Sequence, residues 1–597
     1  MIPLSTLNDV FFAAVDHKLD SAQLVRADGE WRPISSADFG RNVARVAHAL
    51  KEWGIGKGDR VAILSENRPE WTTVDFAALL IGAVTVPIYA TLTAEQTEGL
   101  LTDSGARLLF LSSQAQLDKI ARAIALTGIE KVIVMDANAD FSNLSAPGIE
   151  LGQLTAQGPE TLGPELEAVA RSVKPDDLAT LIYTSGTTGA SKGVMLTHGN
   201  MASNISCSLL GFEMGIGEAM LSFLPLSHVT ARHVDLAMLY HGVTLAYCPF
   251  MEHLPQSFLE VKPTICVAVP RVYEKIYQQT ERTATGFAKR RAYLWALSVG
   301  KAHREQILAG ETPTSHDWRL ANRLVYSRIR AGMGGQVKTF ISGGAPLGRE
   351  LAEWYATVGI RIHEGYGLTE TSPVIAVNTP EHHRIGTVGR VLPNLEVRIA
   401  EDGEILVRGP SVFKGYWNRP EETQQAFVDG FFKTGDIGNL DADGYLSVTD
   451  RKKDLIKTSG GKFIAPQPIE NILKLNPLIG TCAVLGDKRK FAAVLISPNF
   501  VALEAWAHEH NILFASRDEL VANEAVYGLY HDVVEEVNRG LARFETLKKV
   551  ILVADEFSAE NGALTPSLKL RRRVIYERYQ QQINDLYKRA ETEERKE

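Results

Sequence analysis

Between residues 35 and 65 the chain spells out a unit that leaves few folds open. Phe39, Val43, Val46, Leu50 and Trp53 recur at spacings of three and four behind a Ser35 to Asp38 capping signal, which predicts an amphipathic helix. Gly54 and Gly58 end it, and Arg60-Val-Ala-Ile-Leu-Ser65 follows as the short apolar run expected of a buried strand. The same grammar returns at 70–89 and 108–134, with further buried-strand runs at 179–183, 243–247 and 265–269. Helices alternating with such strands predict an α/β fold of parallel sheets covered by helices.

At 597 residues the chain is too long for one compact module. Hydrophobic residues at 45% and charged residues at 22% exclude global disorder. Lys plus Arg number 63 against 71 Asp plus Glu, a net charge of −8, so no general nucleic-acid partner is expected. Cys207, Cys248, Cys266 and Cys482 are scattered singly without a CxxC pair, the pattern of buried thiols in a reducing compartment. The N-terminus lacks a secretory signal, and a cytoplasmic location is the expectation. The uncharged stretch 76–94 contains Gly82 and Pro87 and reads as a buried helix followed by a buried strand, not as a membrane span. Peripheral contact at the inner membrane surface, through a local apolar or basic patch, stays open. The sequence sets no oligomeric state.

Two changes of texture organise the chain. From Tyr273 to about Arg330 charges are frequent and strand formers few, while Ala292, Trp295, Ala296 and Val299 keep helical spacing, so 274–330 reads as a helical insertion. Near 450 a hairpin-like stretch around Asp443-Gly444-Tyr445 gives way to the charged run Asp450-Arg-Lys-Lys-Asp454, which places a domain boundary between 1–450 and 451–597. The second part mixes short strands with helices, an α+β pattern. Its tail carries Ile575, Tyr579, Ile583 and Leu586 at helical spacing.

The chemistry concentrates first in residues 181–198, where an apolar strand runs into Thr184, Ser185, Gly186, Thr187, Thr188 and Gly189, and Lys192 stands beyond them. Backbone N–H groups and hydroxyls crowded around one lysine suit a polyphosphate. The spacing excludes a Walker A loop, because Ser191 occupies the place of its second glycine.

This loop resembles the signature of the adenylate-forming superfamily of acyl-CoA synthetases, nonribosomal adenylation domains and luciferases. The resemblance continues in order through Leu224-Pro-Leu-Ser-His228, Val269-Pro-Arg-Val-Tyr-Glu274, Gly343-Gly-Ala-Pro346, Gly365-Tyr-Gly-Leu-Thr-Glu370, Thr434-Gly-Asp436, Asp450-Arg-Lys-Lys-Asp454 and Leu564-Thr-Pro-Ser-Leu-Lys569. It implies a large N-terminal adenylation domain of helix-flanked sheets with a distorted β-barrel part, and a small mobile C-terminal cap.

The resemblance also implies roles. Adenine stacks on Tyr366 beside Gly367, against a wall of Gly344, Ala345 and Pro346, while Thr369 meets the α-phosphate and Glu370 supplies an oxygen to Mg²⁺. Asp436 accepts the ribose hydroxyls with help from Arg451, and Lys453 is the hinge. Ser459, Gly460, Gly461 and Lys462 approach CoA after the cap rotates, and Lys569 is the catalytic lysine, preceded by Leu568 where some relatives have glycine. His228 shapes the acyl pocket. General-base work by His198 or His228 has little purpose, since a carboxylate already carries the attacking charge.

The implied reaction activates a carboxylic acid with ATP to an acyl-adenylate and then transfers the acyl group to CoA. The insertion, with segments 289–300 and 320–330, resembles that of long-chain fatty acyl-CoA synthetases, so a long aliphatic acid is the expected substrate. Ligation of another hydrophobic or aromatic acid, a luciferase-like oxygenase, and a non-turnover acyl or nucleotide binder are the alternatives. A nonribosomal adenylation domain fits less well, because no carrier module follows Lys569.

Overall fold

The computed structural model describes residues 4–184, 191–459, 461–558, 561–565 and 569–594, the side chains of 591–594 excepted. The helix expected first runs Ser36–Glu52, its Ser35 hydroxyl accepting from the Asp38 N–H at 3.0 Å, and Gly54 closes it at φ 72°. Phe39, Val43, Val46 and Leu50 are fully buried. The strand after it is Arg60–Leu64.

Two large sheets organise the N-terminal part. One has eight strands, in the order Gly415–Tyr416, Lys192–Thr197, Leu178–Thr184, Val84–Ile88, Arg60–Leu64, Leu108–Leu111, Lys131–Val134 and Gly148–Glu150. The other has nine, in the order Arg390–Val391, Val374–Val377, Ile362–Gly367, Thr339–Ser342, Ile265–Ala268, Ala219–Ser222, Thr244–Tyr247, Gln23–Ala27 and Glu30–Ile34. Their interiors are parallel, as the buried runs predict, but their edges are not. Lys192–Thr197 and Gly415–Tyr416 continue the first sheet antiparallel, and the second ends antiparallel on both sides. An apolar run reports burial and is silent on direction, which is why the expectation of purely parallel sheets needs this correction.

Alternate residues of each strand serve different cores. Val61 and Ile63 of the first sheet and Leu245 and Tyr247 of the second share one apolar cluster with the helices Pro69–Leu80 and Val229–His241 between the sheets. Ala62 and Leu64 face outward to a second cluster, and Ala246, Cys248 and Phe340 to a third under the helices Phe287–Leu308 and Arg349–Thr357. The result is a helix, sheet, helix, sheet, helix stack. The uncharged stretch is its centre, since Pro69–Leu80 and Val84–Ile88 are almost wholly buried. The helical segment extends from Pro270 to Ala331 and forms the crossover between two adjacent parallel strands, Ile265–Ala268 and Thr339–Ser342.

The barrel-like part is a five-stranded antiparallel sheet built on Phe431–Leu440, tied to the edge of the nine-stranded sheet by an Arg390–Tyr445 bridge. Its last strand, Leu446–Arg451, carries the chain out of the larger part. Beyond it, a three-stranded sheet of Ile479–Leu485, Ala492–Pro498 and Leu547–Leu552 packs with helices into separate apolar clusters. Ile575, Tyr579 and Ile583 are buried there, as their spacing predicts. Among the described residues no helix is long and apolar enough to cross a membrane.

One charged pair lies inside the central helix layer: Arg232 donates to both oxygens of Asp75 at 2.9 and 2.7 Å, each side chain 1% exposed. Removing one partner strands the other charge in an apolar interior. Asp75→Asn is expected to destabilise the N-terminal part by about 3–5 kcal/mol, measured as a lowered urea midpoint. An unchanged midpoint would show that the pair contributes nothing.

Candidate active site

The two described ends of the Gly/Ser/Thr stretch lie on paired antiparallel strands. Thr184 ends one strand and pairs in antiparallel register with Lys192, which begins the next. Ser185, Gly186, Thr187, Thr188 and Gly189 lie outside the described residues. Gly193 is closely approached, since a Cβ there would stand 3.1 Å from Tyr183 and 3.2 Å from Trp417. The Lys192 ammonium lies over the ring of Tyr416, 5.1 Å from its centroid.

Strand Ile362–Gly367 delivers the next group to the same place and continues into the short turn Thr369–Thr371. Gly367 admits no side chain, since a Cβ would stand 1.7 Å from the Pro373 carbonyl oxygen. Thr369 is buried and Glu370 half-buried. The Glu370 backbone carbonyl accepts from the Phe413 N–H at 2.8 Å, and its Oε1 accepts from the Tyr416 hydroxyl at 2.9 Å.

Asp436 gathers three elements. Its Oδ2 accepts from the Tyr366 hydroxyl at 2.6 Å and its Oδ1 faces Arg451 Nε at 3.0 Å, while its backbone N–H donates to the Thr434 hydroxyl at 3.1 Å. Burial, reinforced by the Asp436 charge, holds the Tyr366 phenol well above its ordinary pKa, so it remains a donor. Gly344 turns the chain at φ 82° after strand Thr339–Ser342, followed by Ala345 and Pro346. The Pro346 carbonyl accepts from Asn471 Nδ2 of the C-terminal part at 3.3 Å.

The C-terminal part contributes Lys569. Leu564 and Leu570 form a bridge on either side of it, the Lys569 N–H donates to the Thr565 hydroxyl at 3.0 Å, and Arg572 clamps both oxygens of the buried Glu470 at 2.7 Å. The residue stays exposed, yet its ammonium is enclosed enough for desolvation to push its pKa down to about 8. Repulsion from Arg451 adds to this, and Asp436 and Glu370 oppose it. Lys569 thus shares one electrostatic site with residues of the larger part. Ser459, Gly461 and Lys462 do not join it. Their hairpin is held within the C-terminal part, where the Ser459 N–H donates to the Arg489 carbonyl at 2.8 Å and Lys462 lies 5.9 Å from the Phe544 ring centroid. Gly460 lies outside the described residues. Lys453 is exposed in the turn between the last N-terminal strand and this hairpin.

His228 caps the helix Val229–His241, its Nδ1 accepting from the Thr230 N–H at 3.2 Å. Desolvation first, and then the Lys569 charge, lower its pKa to about 4, so the ring is neutral near pH 7. Farther along this helix Ala231, Val234 and Asp235 line a small cavity with Phe223 and Val267. Asp235, which no motif singles out, accepts from Ser222 at 2.7 Å, and burial raises its pKa to about 7. His198 is a core residue, accepting from the Leu7 N–H at 3.3 Å and held neutral by burial at about 3. Tyr416 is the other residue the sequence does not reveal, because it looks like core within the aromatic stretch 413–417.

No group of three His, Cys, Asp or Glu among the described residues could hold a metal ion by itself. Glu370 with the neighbouring Thr369 hydroxyl nevertheless offers hard oxygens, the donor set of an ion that completes its shell with substrate phosphates.

These elements bring residues from two parts of one chain to one polar site. Residues 11–417 match the AMP-binding enzyme family, and residues 453–591 match the AMP-binding enzyme C-terminal domain. The chain belongs to this family. It is 36% identical over 565 residues to the long-chain-fatty-acid–CoA ligase FadD15 of Mycobacterium tuberculosis, covering 94% of this chain and 93% of the relative. It is 31% identical to the peroxisomal long chain acyl-CoA synthetase 7 of Arabidopsis thaliana, over 98% of this chain and 86% of the relative. In fold it resembles the adenylation domain of a carboxylic acid reductase from Segniliparus rugosus, solved with AMP and a co-purified carboxylic acid. That match has a TM-score of 0.77 at 21% identity and covers 98% of this chain and 94% of that one.

If Lys569 faces the nucleotide, its charge supports ATP binding below about pH 8 and is lost above it. Calorimetric ATP affinity is expected to fall as pH rises through 8, and Lys569→Arg, which stays charged, to remove the inflection. The same inflection in the arginine variant would assign it to another group.

Proposed function

We propose that the chain is an AMP-forming ligase that converts a long-chain fatty acid to its CoA thioester by way of an acyl-adenylate. The observation that carries this reading is the meeting of Lys569, from the C-terminal part, with Asp436, Arg451 and Glu370 of the larger part. The names of the relatives point to long-chain fatty acids as the acid and CoA as the acceptor.

In the first step a carboxylate oxygen attacks the α-phosphorus, the bond to the bridging oxygen breaks, and pyrophosphate leaves. The chain's part is positioning and charge neutralisation. Thr184 to Gly189 and Lys192 hold the β- and γ-phosphates, Tyr366 and the Gly344 to Pro346 turn hold adenine, and Asp436 with Arg451 holds the ribose. Thr369 donates to the α-phosphate, Lys569 offsets the charge gathering there, and the neutral His228 ring borders the carboxylate. Mg²⁺, held by Glu370 and the phosphates, would supply charge neutralisation on the leaving group.

In the second step the CoA sulfur attacks the acyl carbon and AMP leaves. We assign 1–450 to adenylation and 451–597 to a cap that turns about Lys453, withdrawing Lys569 and presenting Ser459 to Lys462 to CoA. Among the described residues the parts meet through polar contacts, Gln278 to the Lys474 carbonyl at 2.8 Å, Lys474 to Glu274 at 3.3 Å and Asn471 to Pro346, and through Leu475 packed on an N-terminal apolar cluster, a mixed interface of the kind across which domains move. Peripheral bilayer contact belongs to the same proposal. Phe287 and Leu294 are 84% and 50% exposed on one helix face with Arg291.

AMP release from ATP and Mg²⁺ is expected to require both palmitate and CoA for sustained turnover, and to fall at least about a hundredfold in Lys569→Ala. Activity with short or aromatic acids but none with palmitate would overturn the fatty-acid assignment, and no AMP with any acid would overturn the adenylation chemistry.

A further inference from the structure

Lys192 and Glu370, both assigned to the phosphates, meet on one side chain that lies outside the motifs quoted above. The Tyr416 hydroxyl donates to Glu370 Oε1 at 2.9 Å, and its ring face carries the Lys192 ammonium at 5.1 Å. The tyrosine itself is rigidly placed. Its backbone pairs with Val194 in the strand that Lys192 begins, its N–H donates to the Thr423 hydroxyl at 2.9 Å, and its ring packs edge-on against Phe413 at 4.8 Å. Phe413 in turn holds the Glu370 backbone. Among the described residues neither Lys192 nor Glu370 forms an ion pair within 4 Å, although they carry opposite charges and share a neighbour.

We infer that Tyr416 is a positioning residue for adenylation: its hydroxyl orients Glu370 and its ring parks Lys192, so that the two charges stay apart until the nucleotide arrives. The inference rests on the proposed adenylation reading. With Oε1 held by the phenol, Oε2 is left for a metal ion. The lysine on an aromatic face keeps its charge at a modest cost of release, since a cation over a ring is held more weakly than one in a direct ion pair in a partly buried site. Without Tyr416, Lys192 and Glu370 would neutralise each other, and MgATP would have to separate them.

Two substitutions divide the roles. Tyr416→Phe keeps the ring and loses the hydroxyl; Tyr416→Leu loses both. ATP binding is measured by calorimetry in EDTA and again across a Mg²⁺ titration, with AMP formation followed alongside and melting temperature as a check on folding. Tyr416→Phe is expected to bind ATP like the wild type in EDTA, to need roughly tenfold more Mg²⁺ for half-saturation, the scale of one lost charge-assisted hydrogen bond, and to recover near-wild-type kcat at saturating Mg²⁺. Tyr416→Leu is expected to share that shift and also to bind ATP several-fold more weakly in EDTA. A wild-type Mg²⁺ dependence in Tyr416→Phe, or a fall in kcat alone at every Mg²⁺ concentration, overturns the inference while wild-type turnover leaves the adenylation reading standing. A wild type that neither binds nor cleaves ATP overturns both.

Discussion

Asp436 is the point at which the parts of this protein are joined. Its carboxylate binds Tyr366 from the nine-stranded sheet and Arg451 from the last strand of the five-stranded one, and its charge reaches Lys569 from the C-terminal part. Asp436 and Arg451 are cross-strand partners, so this contact also fixes register where the chain leaves the larger part. The acid is 4% exposed, and a carboxylate so enclosed depends on both partners to offset its lost hydration. A ribose placed there would meet an acceptor already oriented. The C-terminal part gains a reason to dock in this arrangement.

The layered scaffold explains how so polar a site is kept rigid. Strands Leu178–Thr184 and Ile362–Gly367 belong to different sheets, the first packed on apolar clusters through most of its length and the second anchored by Ile362, and both open toward the site at their ends. Ligands in α/β sheets collect at such strand ends, where loops meet a fixed frame. The site's glycines are bound to that frame as well. Gly367 leaves no room for a Cβ beside the Pro373 carbonyl, and Gly193 is tightly flanked by Tyr183 and Trp417.

Much of this was legible in the sequence. Fully buried strands read plainly at Arg60–Leu64, and the Ser35 cap predicted the start of its helix because capping chemistry is local. Direction was not legible, since Lys192–Thr197 has the composition of a parallel strand and runs antiparallel. The helical segment could be read as helix but not as a crossover between neighbouring strands, which depends on pairing elsewhere in the chain. Among the site residues, motifs led to Glu370, Asp436 and Lys569. They could not lead to Tyr416, whose neighbours Phe413 and Trp417 make it look like core, or to Asp75, a single acid inside an apolar helix whose partner Arg232 lies far along the chain.

The claim on which the account turns is that Lys569 serves one chemical step and leaves before the other. Single-turnover measurements separate the two: thioester formation from synthetic palmitoyl-AMP and CoA, set beside palmitoyl-AMP formation from ATP and palmitate, in the wild type and in Lys569→Ala. The account predicts that the variant loses the ATP-dependent step and still makes palmitoyl-CoA from the preformed adenylate at close to the wild-type rate. Loss of both steps to the same extent would contradict it, and would place Lys569 in the frame of the enzyme and not in one of its two chemistries.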